Sequence, residues 1–325
     1  MTEYMPKIFI GVLTYNYANF LPEALQSIIN QSYTNWEVLI CDDGSTDNTE
    51  AVIQPFLDNP KIKYFKQPKN CGQPCNWGYM ISQAKGDYIA TLHGDDVWEN
   101  NYLESLIQEI IEDPSIEMIC SNWAIYDQNL NPTGAIGPIQ TNQKLKGSEF
   151  FEFLVTSNIS LPSATIFSAL RAKEVEPPDI NLSRHCDREY FLRIARVANH
   201  AKSISEPLIK YRRHNLASAY INEIGEKLVS SAEECRHIAK KFPSISSGLP
   251  NAAELTDIFL QQSAMYIRHR ALEDVLKFKG NNHAQLLQMS KELYNQPKRS
   301  IRYHCKELFV SLGLAWLIRF YRAYS

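Results

Sequence analysis

The stretch Tyr88-Ile89-Ala90-Thr91-Leu92-His93-Gly94-Asp95-Asp96 decides how this chain is read. Its first five residues form a short, mostly apolar run that reads as a buried strand, and Asp95 and Asp96 fall where that strand should stop. A second unit of the same kind lies upstream, where Val38-Leu39-Ile40-Cys41 runs into Asp42-Asp43. Clustered carboxylates repel one another and resist desolvation, so they persist mainly where something positive or hydrogen-bonding is supplied. A divalent cation carrying a diphosphate would satisfy the later pair. A nucleoside offering N–H and hydroxyl donors would satisfy the earlier one.

Outward from these pairs, apolar runs alternate with amphipathic segments. Strands are expected at Lys7–Leu13, Trp36–Cys41, Ile62–Phe65, Tyr88–Leu92 and Ile116–Tyr126, with helices at Leu21–Asn30, Asp47–Leu57, Pro74–Ala84 and Asn101–Ile111 between them. This rhythm predicts an α/β fold, a mainly parallel sheet flanked by helices on both faces. In such a sheet functional groups gather beyond the carboxyl ends of the strands. Thr14-Tyr15-Asn16, Asp42-Asp43 and Asp95-Asp96 all fall at such ends. Asn129–Lys146, rich in Gly, Pro, Asn and Gln, reads as a long surface loop. Beyond it come helix Gly147–Val155, strand Ser163–Ser168, helix Arg188–Ala198 and strand Ser203–Tyr211. After about Ser218 the pattern turns helical to the end, with Phe242–Pro250 as a loop between helices. The expected division is an α/β domain over 1–218 and a helical region over 219–325.

The 325 residues suffice for one large domain or two modest ones. A net charge of -3 gives no electrostatic case for nucleic-acid binding. The seven cysteines are scattered, and Cys71 and Cys75 lack a second Cys/His pair at zinc-like spacing, so reduced thiols in a cytoplasmic protein are expected. Met1-Thr2-Glu3-Tyr4 does not open a signal peptide. No apolar stretch approaches the roughly 18–20 residues that span a bilayer, Leu308–Ile318 being too short, so a soluble or peripheral protein is expected. The first strand leads into Thr14-Tyr15-Asn16-Tyr17, not into the three-glycine turn of dinucleotide-binding folds, which argues against a dehydrogenase.

Taken in order, Ile8–Asn16, the segment CDDGSTD at Cys41–Asp47, Asn70–Asn76, Leu92–Asp96, HCDREYFLRIA at His185–Ala195 and YRRH at Tyr211–His214 resemble the family 2 inverting glycosyltransferases of GT-A fold. The resemblance covers roughly residues 7–218. It implies a nucleotide-diphosphate sugar donor, UDP foremost, a divalent cation (Mn²⁺ or Mg²⁺) and single displacement at the anomeric carbon. It matches Asp96 to the metal ligand, Asp95 to the ribose contact, and Asp43 to the acceptor of a uracil N–H, with Thr14 and Asn16 flanking the base. Asn76 lies in the segment usually near the donor, and His214 at a position that often approaches the diphosphate. The stretch His93-Gly94-Asp95-Asp96 lacks an acid that the family motif commonly carries, which leaves the cation chiefly on Asp96, the diphosphate and waters.

Asp187 matches the carboxylate that serves as general base, taking the acceptor hydroxyl's proton as it attacks opposite the leaving group. A helix N-cap at the same residue is chemically sound and compatible with that role. For Asp42, turn formation and capping is the simpler account, and Arg212 and Arg213 read as solvated charges. Trp77, Trp98 and Trp123 read as core.

The expected partners are the sugar nucleotide and a glycan or lipid-linked glycan acceptor, with a second copy of the chain left open. Residues 298–325 mix Arg299, Arg302, Lys306 and Arg319 with Phe309, Leu312, Trp316, Phe320 and Tyr321. That mixture suits a membrane surface, at the inner face of the cytoplasmic membrane, and equally a helix packed on protein. Two further functions compete: a non-catalytic nucleotide- or glycan-binding homologue, and a sugar nucleotidyltransferase, which would carry a Gly-rich basic loop where this chain has Thr14–Phe20.

Overall fold

Strand β1 (Ile8–Thr14) is an interior strand of the sheet, and every one of its seven residues is buried. In the computed structural model, which describes residues 5–157, 162–214, 226–277 and 283–293, it pairs in parallel with β2 (Trp36–Asp42) on one side and β4 (Tyr88–His93) on the other. β3 (Ile62–Lys66) extends the sheet beyond β2. The register sets Thr14 opposite Asp42 and Leu13 opposite His93, so the ends of three strands stand level along one rim.

Alternation along β1 explains its two-sided burial. Ile8, Ile10 and Val12 join one apolar cluster with Leu21, Leu25 and Ile28 of α1 (Leu21–Ile29), Ile53 of α2 (Thr49–Leu57), and Leu103, Ile107 and Ile110 of α4 (Tyr102–Glu112). Gly11 faces the other way, where Met80 of α3 (Gln73–Gln83) lies so close that a Cβ would fall 2.5 Å from its sulfur. Trp77 of α3 meets Tyr190 and Phe191 of α7 (Cys186–Val197) edge-on, as the core reading expects.

The sheet is mixed, with parallel pairs β1–β2, β1–β4, β2–β3 and β6–β10 joined by antiparallel strands. Its order is β3-β2-β1-β4-β9-β6-β10-β5, and β9 (Thr165–Ser168) runs antiparallel between β4 and β6 (Ile116–Tyr126). β5 (Val97–Trp98) is antiparallel to β10 (His200–Arg212), which parallels β6 and bulges around Pro207. The segment expected as one loop contains β7 (Pro132–Ile136) and β8 (Gln143–Lys146), paired with β6 and β10. Their side chains are almost all exposed, so no alternation of apolar residues marked them. Between them and β9 lies α5 (Gly147–Ser157), and α6 (Ala169–Ala172) follows β9.

The chain divides into two compact units after His214. The second contains helices Glu226–Ile245, Ala252–Lys277 and His283–Leu293, joined through Ala232, Cys235, Ile267 and Met289. Phe242 stacks on Phe259 at 4.2 Å, and the first helix runs on to Ile245 where a loop was expected from Phe242. Residues 298–325 lie outside the described residues. No helix among the described residues is long and apolar enough to cross a membrane.

Candidate active site

Four loops are stitched together at the rim. Leaving β1, the chain places Asn16 in the left-handed region (φ 57°), which Asn tolerates better than most residues. Its N–H donates to Ser45 Oγ at 2.8 Å, and its Oδ1 accepts the N–H of Thr46 at 2.8 Å. The Ala18 N–H reaches Asp47 Oδ2 at 2.9 Å, and the Asp43 N–H reaches the Thr14 carbonyl at 3.0 Å. Asn16 thus builds the rim with its side-chain oxygen engaged. Thr14 Oγ1 is buried with no hydrogen-bond partner, and Gly94 packs on it so closely that a Cβ would come within 3.0 Å.

Asp42 and Asp43 do different jobs. Asp42 is fully buried, and its carboxylate accepts from the Ser45 N–H at 2.8 Å and the Tyr64 hydroxyl at 2.6 Å. It holds the turn, as the simpler sequence account has it. Asp43 accepts the N–H groups of Cys71 (2.8 Å) and Gly72 (3.0 Å), just ahead of α3. Burial pushes its carboxyl above the usual range, while these two donors pull the other way. Gly44 makes this approach possible: at φ +74° its backbone lies against Lys69 and Asn70, where a Cβ would sit 2.7 Å from main-chain atoms. Asn76 is buried and donates through Nδ2 to the Cys41 carbonyl at 2.8 Å, fastening α3 to the end of β2.

The cysteine expectation is corrected here. Cys71 and Cys75 are bridged, with Cα atoms 5.8 Å apart, a span a disulfide accommodates. Gly72 turns the chain at φ 89° into α3, bringing residues four apart onto one side. Among the described residues Cys41, Cys120, Cys186 and Cys235 are buried and take no part in a disulfide.

The second acidic pair is enclosed from several directions. Asp96 is 1% exposed, and its Oδ2 accepts the Ser163 hydroxyl at 2.5 Å while Oδ1 accepts the Arg212 N–H at 3.1 Å. Burial and the neighbouring Asp95 charge raise its carboxyl well above the usual range. Asp95 Oδ2 lies 3.0 Å from His214 Nε2, and the His214 ring packs on Phe20 (4.3 Å) and Tyr17 (5.5 Å). Arg212 is not a solvated charge. It is buried, donates through Nε to the Asp95 carbonyl at 2.8 Å and through Nη1 to the Gln128 carbonyl at 2.8 Å, and pairs with Glu23.

Three contributors escaped the sequence reading: His93, Ser163 and Arg212. One ligand-type atom from each of His93, Asp95 and Asp96 lies within 4.8 Å of the others. His93 Nε2 is buried without a hydrogen-bond partner, and burial lowers the imidazole's affinity for a proton. A neutral imidazole beside two carboxylates, one of them raised by the other's charge, is a donor set that a divalent cation fits. The signal for His93 was its place at the strand end, two and three residues before the acids. Ser163, on a 3-10 turn at Pro162–Ala164, gave none.

Asp187 stands in the first turn of α7, inside the helix and not at its cap, which is His185. Its Oδ1 accepts the Arg188 N–H at 2.7 Å. The Tyr211 phenol relates it to the acidic pair: burial raises that hydroxyl, and negative charge from Asp96, Asp95 and Asp187 raises it further.

Residues 9–170 match the family model described as Glycosyl transferase family 2. The chain belongs to that family. It is 33% identical over 133 residues to chondroitin synthase of Pasteurella multocida, a match covering 41% of this chain and 13% of that protein. The chain thus spans a small part of that relative's length. Residues 1–349 of Staphylococcus aureus TarS superpose with TM-score 0.56 at 17% identity, covering 90% of this chain and 92% of that one. PcManGT, a mannosyltransferase of Pyrobaculum calidifontis, gives TM-score 0.52 at 14% identity over 90% of this chain and 88% of its own. These likenesses identify the fold as GT-A. TarS has been solved with UDP and with UDP-GlcNAc, and PcManGT with GDP-Man and Mn²⁺.

Proposed function

We propose that this family 2 member is an inverting glycosyltransferase that moves a sugar from a UDP-sugar to a hydroxyl of a growing cell-surface glycan. The observation that carries the reading is the gathering of His93, Asp95 and Asp96, whose ligand-type atoms lie within 4.8 Å of one another, on a rim whose register also brings up Asp42. The TarS complexes with UDP and UDP-GlcNAc support the choice of donor class.

Asp43 keeps lone pairs beyond the two that accept Cys71 and Gly72, enough to take a uracil N–H in a charge-assisted bond. Thr14, with its unpartnered buried hydroxyl, and Asn16, through its main chain, border the base. Asn76 fixes α3 beneath it. Asp95 serves the ribose, and His214, in contact with Asp95, stands beside the diphosphate. Asp187 accepts the proton of the acceptor hydroxyl as its oxygen bonds to the anomeric carbon and the bond to the diphosphate oxygen breaks. Mn²⁺ or Mg²⁺, held by Asp96 with Asp95, would screen the charge growing on the departing diphosphate. The acceptor reading extends to a lipid-linked glycan in the cytoplasm, supported by the basic and aromatic residues of 298–325.

A panel of sugar nucleotides tests this directly. Thermal stabilisation by one UDP-sugar with Mn²⁺, above that by UDP alone, is expected, because ligand bound to the native state raises its apparent stability. Release of UDP from that donor should follow, and be lost in Asp187→Asn. Stabilisation without turnover under any acceptor condition would point to a binding module instead.

A further inference from the structure

We propose that His93 supplies a ring nitrogen to the cation at Asp96 and Asp95, giving this centre a mixed nitrogen–oxygen donor set that selects Mn²⁺ over Mg²⁺. The inference rests on the metal-dependent reading above and concerns which ion that site takes. Three observations converge on it. The donor atoms of His93, Asp95 and Asp96 lie within 4.8 Å of one another. His93 Nε2 is shielded from water with no hydrogen-bond partner in the protein. The residue's position is fixed from both sides, by its register opposite Leu13 of β1 and by its N–H donating to Ser163 Oγ at 3.1 Å. That same hydroxyl donates to Asp96 Oδ2, so the imidazole and the carboxylate hang from one anchor.

A buried polar nitrogen left unmet costs about 1–3 kcal/mol, so the ring's place needs a reason that core packing does not supply. A cation between the ring and the acids provides one, satisfying the nitrogen lone pair and relieving the repulsion of two adjacent carboxylates. The donor chemistry then decides the ion. Mg²⁺ keeps its waters and takes oxygen ligands, whereas Mn²⁺, which carboxylates also accept, is a transition ion that exchanges a water for a ring nitrogen more readily. Carboxylates accept Mn²⁺ as readily as Mg²⁺, so the added nitrogen is what separates the two.

Pulsed electron paramagnetic resonance of Mn²⁺ bound to the full chain, alone and with UDP, tests the assignment. The wild-type spectrum should show coupling to a ring nitrogen, and His93→Gln should lose it while still binding Mn²⁺. Competition titration should show the preference for Mn²⁺ over Mg²⁺ falling by about tenfold, ~1.4 kcal/mol, in His93→Gln and in His93→Asn. Nitrogen coupling that persists in His93→Gln overturns the proposal, since His214 is then its source. Asp96-dependent Mn²⁺ binding with no nitrogen coupling in the wild type also overturns it and leaves the metal-dependent reading standing. No Mn²⁺ uptake by the wild type, with or without UDP, overturns both.

Discussion

The main-chain N–H of Arg212 donates to Oδ1 of Asp96 at 3.1 Å, tying the last residue of β10 to the turn that follows β4. The bond joins residues 116 apart in sequence. It holds a carboxyl that burial and Asp95 disfavour as an anion, so ionising Asp96 works against the stability of the fold.

Asp96→Asn should therefore stabilise the protein in the absence of metal. Folded Asp96 holds its proton more tightly than the unfolded residue does, with its ordinary value of 3.8. Folding takes up a proton between the two values, so this contribution is full below the unfolded value and is lost as pH rises through the folded one. The melting temperature of metal-free Asp96→Asn should exceed wild type by a few degrees at pH 8, and the gap should close toward pH 4. Calorimetry of the same variant should show Mn²⁺-dependent UDP binding abolished. Equal melting curves across that range would remove the account of a strained carboxylate.

Arg212 is a buried keystone whose partners are unequal. Its side chain is 2% exposed, while that of Glu23 is 52% exposed. Arg212→Ala strips donors from the carbonyls of Asp95 and Gln128 and should cost about 3 kcal/mol or more in urea unfolding. Glu23→Gln removes only a half-solvated charge and should cost under about 1 kcal/mol. Arg212→Lys should rescue little, because one ammonium cannot span three acceptors set for a planar fork. Similar losses for Glu23→Gln and Arg212→Ala would show that the ion pair, not the carbonyl anchoring, matters.

Much of the rim is legible in the sequence because strand ends are marked by a change from apolar to acidic residues. Strand direction is not. Thr165–Ser168 is buried throughout like the parallel strands of the sheet, and only long-range pairing with β4 and β6 makes it antiparallel. The role of Arg212 is hidden for a similar reason: nothing local says that a charge at the end of a strand will be roofed over by residues from Glu23, Asp95 and Gln128. His93 reads as the last residue of a strand, and its unmet nitrogen exists only once Ser163 and the acidic turn have closed around it.

The Cys71–Cys75 bridge bears on Asp43, which is held by the N–H groups of Cys71 and Gly72. A loop this short contributes at most about 2 kcal/mol by restricting the unfolded chain, so the double Cys→Ser variant should melt only slightly lower. Its effect on ligand should be larger in proportion. Loosening residues 69–72 lets the Asp43 carboxylate turn, and UDP affinity by calorimetry should fall by about three- to tenfold, 0.6–1.4 kcal/mol. Reduction of the wild type with a dithiol should reproduce the loss. Unchanged affinity in both would mean that α3, not the bridge, positions those donors.

Asp187→Asn tests the chemical step in isolation. The substitution keeps the size and a hydrogen-bonding oxygen at the first turn of α7, so Arg188 retains an acceptor and the helix should start as before. It removes the group that can take a proton at neutral pH. Turnover should fall by about 10²–10⁴-fold, the range a positioned general base contributes. UDP affinity should stay within a factor of two or so, since Asp43 and Asp95 bear that contact in the proposed arrangement. A matching loss of affinity and turnover would place Asp187 among the donor-binding groups, and the proton would then have to leave by another residue.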